Sequence, residues 1–214
     1  EVVMTLSLSV EDDRLGAYYR KTMAIADRLG KSLEFDKVMD ALQRIHDGQL
    51  DPIVLRAGEF PVYLETEVGG KSKDQLLAEL KAGGYDVSDW AKDIMSKPAW
   101  KPGKKQTVKF ARAKISELGF TKNPTTREVW ARIQELGHNL CEPGDGPAIR
   151  LALKDQPRGD YFWTAMEQIA GSHGGPRVFY VKRSGDGKRW LHTYWVGPGD
   201  EWSLVSEVVF RLCK

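Results

Sequence analysis

The sequence predicts an α+β protein with a helix-rich N-terminal half carrying short strands, followed by a C-terminal antiparallel β-meander. Three observations point there. Apolar residues recur at helical spacing before glycine stops in the first half, and two capping-box patterns open further helices. From Ile149 onward, aromatic and β-branched runs alternate with Gly- and Asp-rich turns. Sequential strands joined by short loops favour antiparallel pairing, because parallel neighbours need long crossovers.

Residues 2–10 alternate apolar and hydroxyl side chains and read as a half-buried strand. Between Asp12 and Leu29, the residues Leu15, Tyr18, Tyr19, Met23, Ala26 and Leu29 line one helix face, and Gly30 follows. A second helix is expected from Glu34 to His46. Phe60 to Val68 reads as a strand whose Pro61 restricts it to an edge or a first position. Ser72 with Gln75 opens a helix that stops at Gly83-Gly84, and a shorter one is expected from Ser88 to Ser96. Thr107 to Ile115 alternates as a strand with one basic face, and Thr125 with Glu128 caps a helix ending at Gly137. The meander is expected over 149–153, 161–169, 177–183, 188–196 and 205–213, with 177–183 and 188–195 forming a hairpin across Ser-Gly-Asp-Gly. Two prolines and a glycine between Lys97 and Gly103 suggest a boundary between residues 1–96 and 104–214, one domain being the alternative.

Composition sets the broad class. Hydrophobic residues make up 41% of the 214, enough for a core, while the longest apolar runs, such as Val208-Val209-Phe210, are far too short to cross a bilayer. The opening residues lack a basic segment of the secretory kind. Cys141 and Cys213 are the only cysteines and have no metal-binding spacing, so a reducing, cytoplasmic location is expected. Net charge is +2, but residues 1–70 carry −5 and residues 71–150 carry +5, an asymmetry that suits either an acidic partner or contact between the two segments.

A set of short patterns runs from Val87 to Leu212: Val87-Ser-Asp-Trp-Ala-Lys-Asp-Ile94, Lys97-Pro-Ala, Glu117-Leu-Gly-Phe120, Ala131-Arg132, Glu135-Leu-Gly137, Cys141, Asp155-Gln-Pro157, Ala165-Met-Glu167, Val178-Phe179 and Arg189-Trp-Leu191. In these the chain resembles a family of bacterial proteins with no known activity. The resemblance implies that the β-rich end travels with the preceding helices as one unit, and it implies no function.

Several clusters are candidates for chemistry. The run from Lys97 to Lys114 holds Lys97, Lys101, Lys104, Lys105, Lys109, Arg112 and Lys114 with Trp100 and Phe110 and no acid, a pattern suited to phosphates and stacked bases. A solvated loop and one polar strand face is the simpler account. The meander contains Tyr161, Phe162, Trp163, Phe179, Tyr180, Trp190, Tyr194, Trp195 and Trp202. Burial on both faces under helices explains them most simply; otherwise one set is core and the other a surface for sugar, base or peptide, rimmed by Arg177, Lys182 and Arg189. His138 with Cys141 has the spacing of a thiolate beside an imidazole, and His173 with His192 offers acid or base chemistry, although chance placement accounts for both pairs. Glu65 and Glu67 share a strand face at a spacing compatible with two-carboxylate hydrolysis, or are solvated charges. No Walker loop, GxGxxG, GxSxG, HExxH or EF-hand pattern occurs, so neither cofactor nor metal is expected. The reading that follows is a non-catalytic binding or interaction module. Its alternatives are a nucleic-acid-binding protein using residues 97–114 and a small hydrolase using His173 and His192 or His138 and Cys141. Nucleic acid or another protein is the expected partner, with Lys101, Lys104, Lys105, Lys109, Arg112, Trp100, Phe110, Arg189 and Trp190 as binding residues.

Overall fold

Eight strands form one mixed sheet in the computed structural model, which describes residues 60–213. The strand expected over 2–10 and the helices expected over 12–29 and 34–46 lie outside the described residues. The strands are β1 (Leu64–Val68), β2 (Asp86–Val87), β3 (Gln106–Lys114), β4 (Tyr161–Thr164), β5 (Ile169–Ala170), β6 (Pro176–Arg183), β7 (Arg189–Trp195) and β8 (Glu207–Arg211). Their order across the sheet is β1-β3-β8-β4-β6-β7-β2, with β5 hydrogen-bonded to β6. Four α-helices accompany them among the described residues: α1 (Lys73–Ala82), α2 (Asp89–Met95), α3 (Thr126–Glu135) and α4 (Asp145–Ala152).

The local signals account for most of these elements. Ser72 and Gln75 close a reciprocal capping box on α1, and Thr125 and Glu128 close another on α3. Ser88 caps α2 by accepting from the Ala91 N–H at 3.1 Å. The β6–β7 hairpin has the register expected of it, from Arg177 opposite Trp195 to Arg183 opposite Arg189.

The fold class differs from the expected one in two respects. The described part of the first half is not helix-rich, because β1 and β3 enter the same sheet as the later strands. The later strands are not a meander either: β8 lies between β3 and β4, and β4 runs parallel to it. A second parallel pair joins β2 to β7. Residues 149–152 of the strand expected over 149–153 form the end of α4 and Leu153 caps it; Gly146 and Pro147 lie in the first turn of this short apolar helix, which periodicity alone does not separate from a buried strand. A Cβ on Gly146 would lie 2.5 Å from the Phe179 ring, so the missing side chain is what lets α4 settle on the sheet.

Register assigns the two faces. One carries Phe110, Val209, Phe162, Phe179, Val181 and Leu191, all buried, and α4 packs on it through the contact of Gly146 with Phe179. The other carries Val208 and Phe210, also fully buried, then Tyr161, Trp163, Tyr180, Trp190, His192 and Tyr194 toward β7. One charged pair sits inside the core. Arg211 donates from Nε and Nη2 to the two carboxylate oxygens of Asp145 at 2.7 Å each, and from Nη1 to Glu142 at 2.6 Å. Asp145 is 1% exposed, whereas the Glu142 side chain is 45% exposed. Removing one member of such a pair leaves the other charge buried alone, at a cost of about 3–5 kcal/mol. Asp145→Ala is therefore expected to lower unfolding free energy by about 3–5 kcal/mol in a urea titration, and Glu142→Ala by less than about 1 kcal/mol. Equal losses from the two substitutions would contradict this account.

Candidate functional site

Strands β4, β6 and β7 present a continuous aromatic surface on the second face. Cross-strand pairing sets Tyr161, Lys182 and Trp190 in one row and Trp163, Tyr180 and His192 in the next, with Val178 opposite Tyr194 beyond them. Neighbouring positions in such rows stand about 5 Å apart, close enough for rings to touch. Tyr180 lies at the centre, with ring centroids 5.5 Å from Tyr161, 5.2 Å from Trp163, 6.0 Å from Tyr194 and 6.4 Å from His192. Trp190 continues the array 6.3 Å from His192. On the other side, Trp163 meets Trp202 edge to face at 5.3 Å, and Trp202 leads to Trp130 at 5.7 Å, where the array enters the core.

The surface is open, and its three phenol hydroxyls are unengaged among the described residues. Tyr161 is 46% exposed and Tyr194 54%, while Trp163, Tyr180, Trp190 and His192 are half-buried. Hydroxyls of Tyr161, Tyr180 and Tyr194 make no hydrogen bond among the described residues, in contrast to those of Tyr63 and Tyr85, which do. Burial first, then the nearby Tyr161, Tyr194 and Asp160, pushes the Tyr180 phenol up to about 12, so it remains a hydrogen-bond donor at neutral pH. Phe210 shows why the same face is closed elsewhere: Phe60 and His138 stack on it at 5.1 and 5.4 Å.

A shallow pocket of about 200 Å³ adjoins Tyr161 and is lined by Arg112, Asp160, Val205 and Glu207. Arg112 donates to both oxygens of Asp160, at 2.9 and 2.5 Å, and also contacts Glu207. Burial by itself raises the Asp160 carboxyl, but hydrogen bonds from Arg112 and Gln156 outweigh it and hold the group below the usual carboxylate range. The Asp160 carboxyl is therefore ionised, and no proton donor, near neutral pH.

Gln156 extends this network inward to Arg150, a fully buried arginine. Arg150 donates to Gln156 and to the Leu153 carbonyl, lies 5.1 Å from the Tyr85 ring, and leaves its Nε without a partner. No carboxylate pairs with it among the described residues. Burial brings its pKa down to about 10, which leaves the guanidinium charged at neutral pH.

The residues selected from sequence separate. Trp190 joins the aromatic face, whereas Arg189 points to the opposite one, donating to the Gly83 carbonyl at 2.9 Å with its guanidinium 4.3 Å from the Tyr85 ring. Phe110 is fully buried, and Trp100 is 7% exposed with its indole N–H bonded to the Pro143 carbonyl. Neither ring is available for a stacked base. Lys109 faces Glu65 across the β1–β3 ladder at 4.0 Å, Lys105 just before β3 pairs with Glu67 at 3.1 Å, and Lys97 pairs with Asp93 at 2.9 Å. Lys101 and Lys104 are exposed and make no ion pair among the described residues. Glu65 and Glu67 thus serve as partners of lysines.

His173 packs on Trp90 at 5.3 Å and His192 on Tyr180, and no contact joins the two histidines. Near Trp90 a second exposed cluster forms, in which the Arg177 guanidinium sits 4.0 Å from Trp90 and 5.9 Å from Trp195. Its cation already occupies the space between the rings. Cys141 is buried and donates to the Val209 carbonyl at 3.3 Å, and burial raises its thiol well above the ordinary value. His138 accepts from the Cys213 N–H at 3.4 Å and stacks on Phe210.

Sequence reasoning left Tyr161, Trp163, Tyr180, Tyr194 and Lys182 outside the chosen binding set. Alternation along β6 and β7, combined with the register of their four-residue turn, is the signal that places Tyr180, His192, Trp190 and Tyr194 on one face. Family models, curated proteins and solved structures were compared with this chain, and none matches it.

Two measurements follow from the site. Alkylation of the native protein at about pH 8 should modify Cys213 and spare Cys141, as read by peptide mass; modification of Cys141 at a comparable rate would mean an accessible thiolate. Because the native pKa of Asp160 is depressed, its contribution to stability is present above the unfolded carboxylate range and lost as pH falls through the native value. Asp160→Asn should therefore be less stable than the parent at about pH 7, with the gap closing toward about pH 2 in urea titrations.

Proposed function

We propose that this chain is a non-catalytic binding module whose ligand surface is the open aromatic face of β4, β6 and β7. The observation that carries the reading is the set of five rings, Tyr161, Trp163, Tyr180, Trp190 and Tyr194, that sit side by side on three adjacent strands with three phenol hydroxyls unengaged. Buried aromatic side chains normally satisfy their polar atoms within the protein, so an array left half open with free donors suits a ligand that offers flat surface and acceptors. Shape argues the same way. A sheet face is shallow and rigid, giving a ligand area and orientation without the enclosure that acid–base catalysis uses to exclude water.

Chemistry among the described residues favours binding over turnover. The Cys141 thiol is buried and bonded, Asp160 and Glu207 are both held by Arg112, and His173 and His192 contact different aromatic clusters. A binding role for Lys101 and Lys104 would lack a stacking partner, because Trp100 and Phe110 are core residues.

Tyr161 and Tyr194 are exposed, so replacing both with alanine should leave unfolding free energy within about 1 kcal/mol of the parent. On arrays of glycans, single-stranded oligonucleotides and short peptides, the parent should give a signal that the double variant loses. A signal retained by the double variant, or no signal from the parent on any of the three, would overturn the proposal.

A further inference from the structure

Resting on that reading, we infer that the aromatic face takes single-stranded nucleic acid, with bases stacked on its rings and phosphates directed toward the β6–β7 hairpin end. Charge decides between this ligand and a neutral one. Within the array the only fully ionic side chain is Lys182, placed by register between Tyr161 and Trp190. Lys188 and the exposed Arg158 stand at the same end, where a Cβ on Gly187 in the turn would lie 3.6 Å from the Arg158 guanidinium. Arg183 and Arg189, paired across the first ladder position of the hairpin, add two more cations from the opposite face.

None of these five makes an ion pair among the described residues, unlike the lysines and arginines that face acids elsewhere on the sheet. Acids at this end are Asp86, Asp155, Asp160 and Asp186, of which Asp160 is taken up by Arg112. Beneath the sheet, Arg150 adds a buried positive charge with no counter-carboxylate and an unpartnered Nε. A buried uncompensated cation is costly unless an anion nearby offsets it, and its field is screened less than that of a surface charge.

The polar groups on the face itself include the ammonium of Lys182, a donor only, and the phenols of Tyr161, Tyr180 and Tyr194, which donate or accept. Its nearest carboxylates, Asp160 and Glu207, are occupied by Arg112. Phenol oxygens both donate and accept, so hydroxyl chemistry suits a sugar as well as a base, and it is the unpaired cations that favour an anionic ligand. A polyanion of flat bases requires stacking rings, donors and free cations, and all three occur together here.

The test uses the full chain and a fluorescent oligothymidylate of about 12 nucleotides, with anisotropy read over salt from about 50 to about 200 mM. The parent should bind with affinity falling steeply as salt rises. Tyr161→Ala and Tyr194→Ala should each weaken binding roughly 10-fold while keeping the parent's melting behaviour, since base stacking on an aromatic ring has that order of effect. Lys182→Gln should lower the slope of log affinity against log salt by about 0.7. Absence of binding at about 50 mM salt, or binding that the tyrosine substitutions leave intact, would overturn the inference. A cello-oligosaccharide arm separates the two levels of the argument. If it binds, requires Tyr161 and Tyr194, and the oligothymidylate does not, the nucleic-acid assignment fails and the binding face stands; if tyrosine-dependent binding is seen with neither of these nor on the peptide array, both fail.

Discussion

Strand β8 is the constraint on which the rest of this structure depends. It is last in the sequence and central in the sheet, antiparallel to β3 on one side and parallel to β4 on the other. Val208, Val209, Phe210 and Arg211 are all buried, so both faces of the sheet are closed where β8 runs. A strand covered on both sides reads as a continuous apolar run, which is how Val208-Val209-Phe210 appears in the sequence. Away from β8, over β4, β6 and β7, one face becomes open.

Two buried arginines mark the limits of this core and are handled differently. Arg211 is neutralised by Asp145 in a two-point contact, with Glu142 completing its hydrogen bonding, so a charge at the end of β8 is tolerated next to Cys141. Arg150 has only neutral partners, Gln156 and two carbonyls, with the Tyr85 ring alongside. Gln156 also donates to Asp160, which binds Arg112, so the uncharged amide is the relay between the two guanidiniums. Positive charge consequently accumulates at the hairpin end of the sheet, while the β1–β3 edge is balanced by its acid–lysine ladder.

The aromatic face derives from the same geometry. Residues two apart on β6 and β7 point alike, and antiparallel pairing brings the two sets into register. Parallel addition of β4 to β8 then sets Trp163 and Tyr161 on the same side as Tyr180. Trp202 seals the inner margin against Trp163. Rigidity of this kind lowers the ordering cost of binding, because the rings are already held by their neighbours.

Local structure was largely legible in the sequence. Capping boxes at Ser72 and Thr125, the alternation of Thr107 to Lys114 and the Gly/Asp turn before Lys188 each act over a few residues, and each produced the expected element. Burial of the later-strand aromatics on both faces, the simpler expectation, is not what the fold produces: Phe162 and Phe179 are core, whereas Tyr161 and Tyr194 are exposed. What only the tertiary structure decided is which strands are neighbours, because β8 joins β3 across more than ninety residues of chain through backbone hydrogen bonds that carry no residue-specific mark. Long-range pairing likewise buried Phe110, set Lys109 of β3 opposite Glu65 of β1, and left Tyr161 and Tyr194 exposed beside the half-buried Tyr180 and Trp190. Side-chain alternation determines that a strand has two faces; burial of one of them is a property of what the fold lays against it.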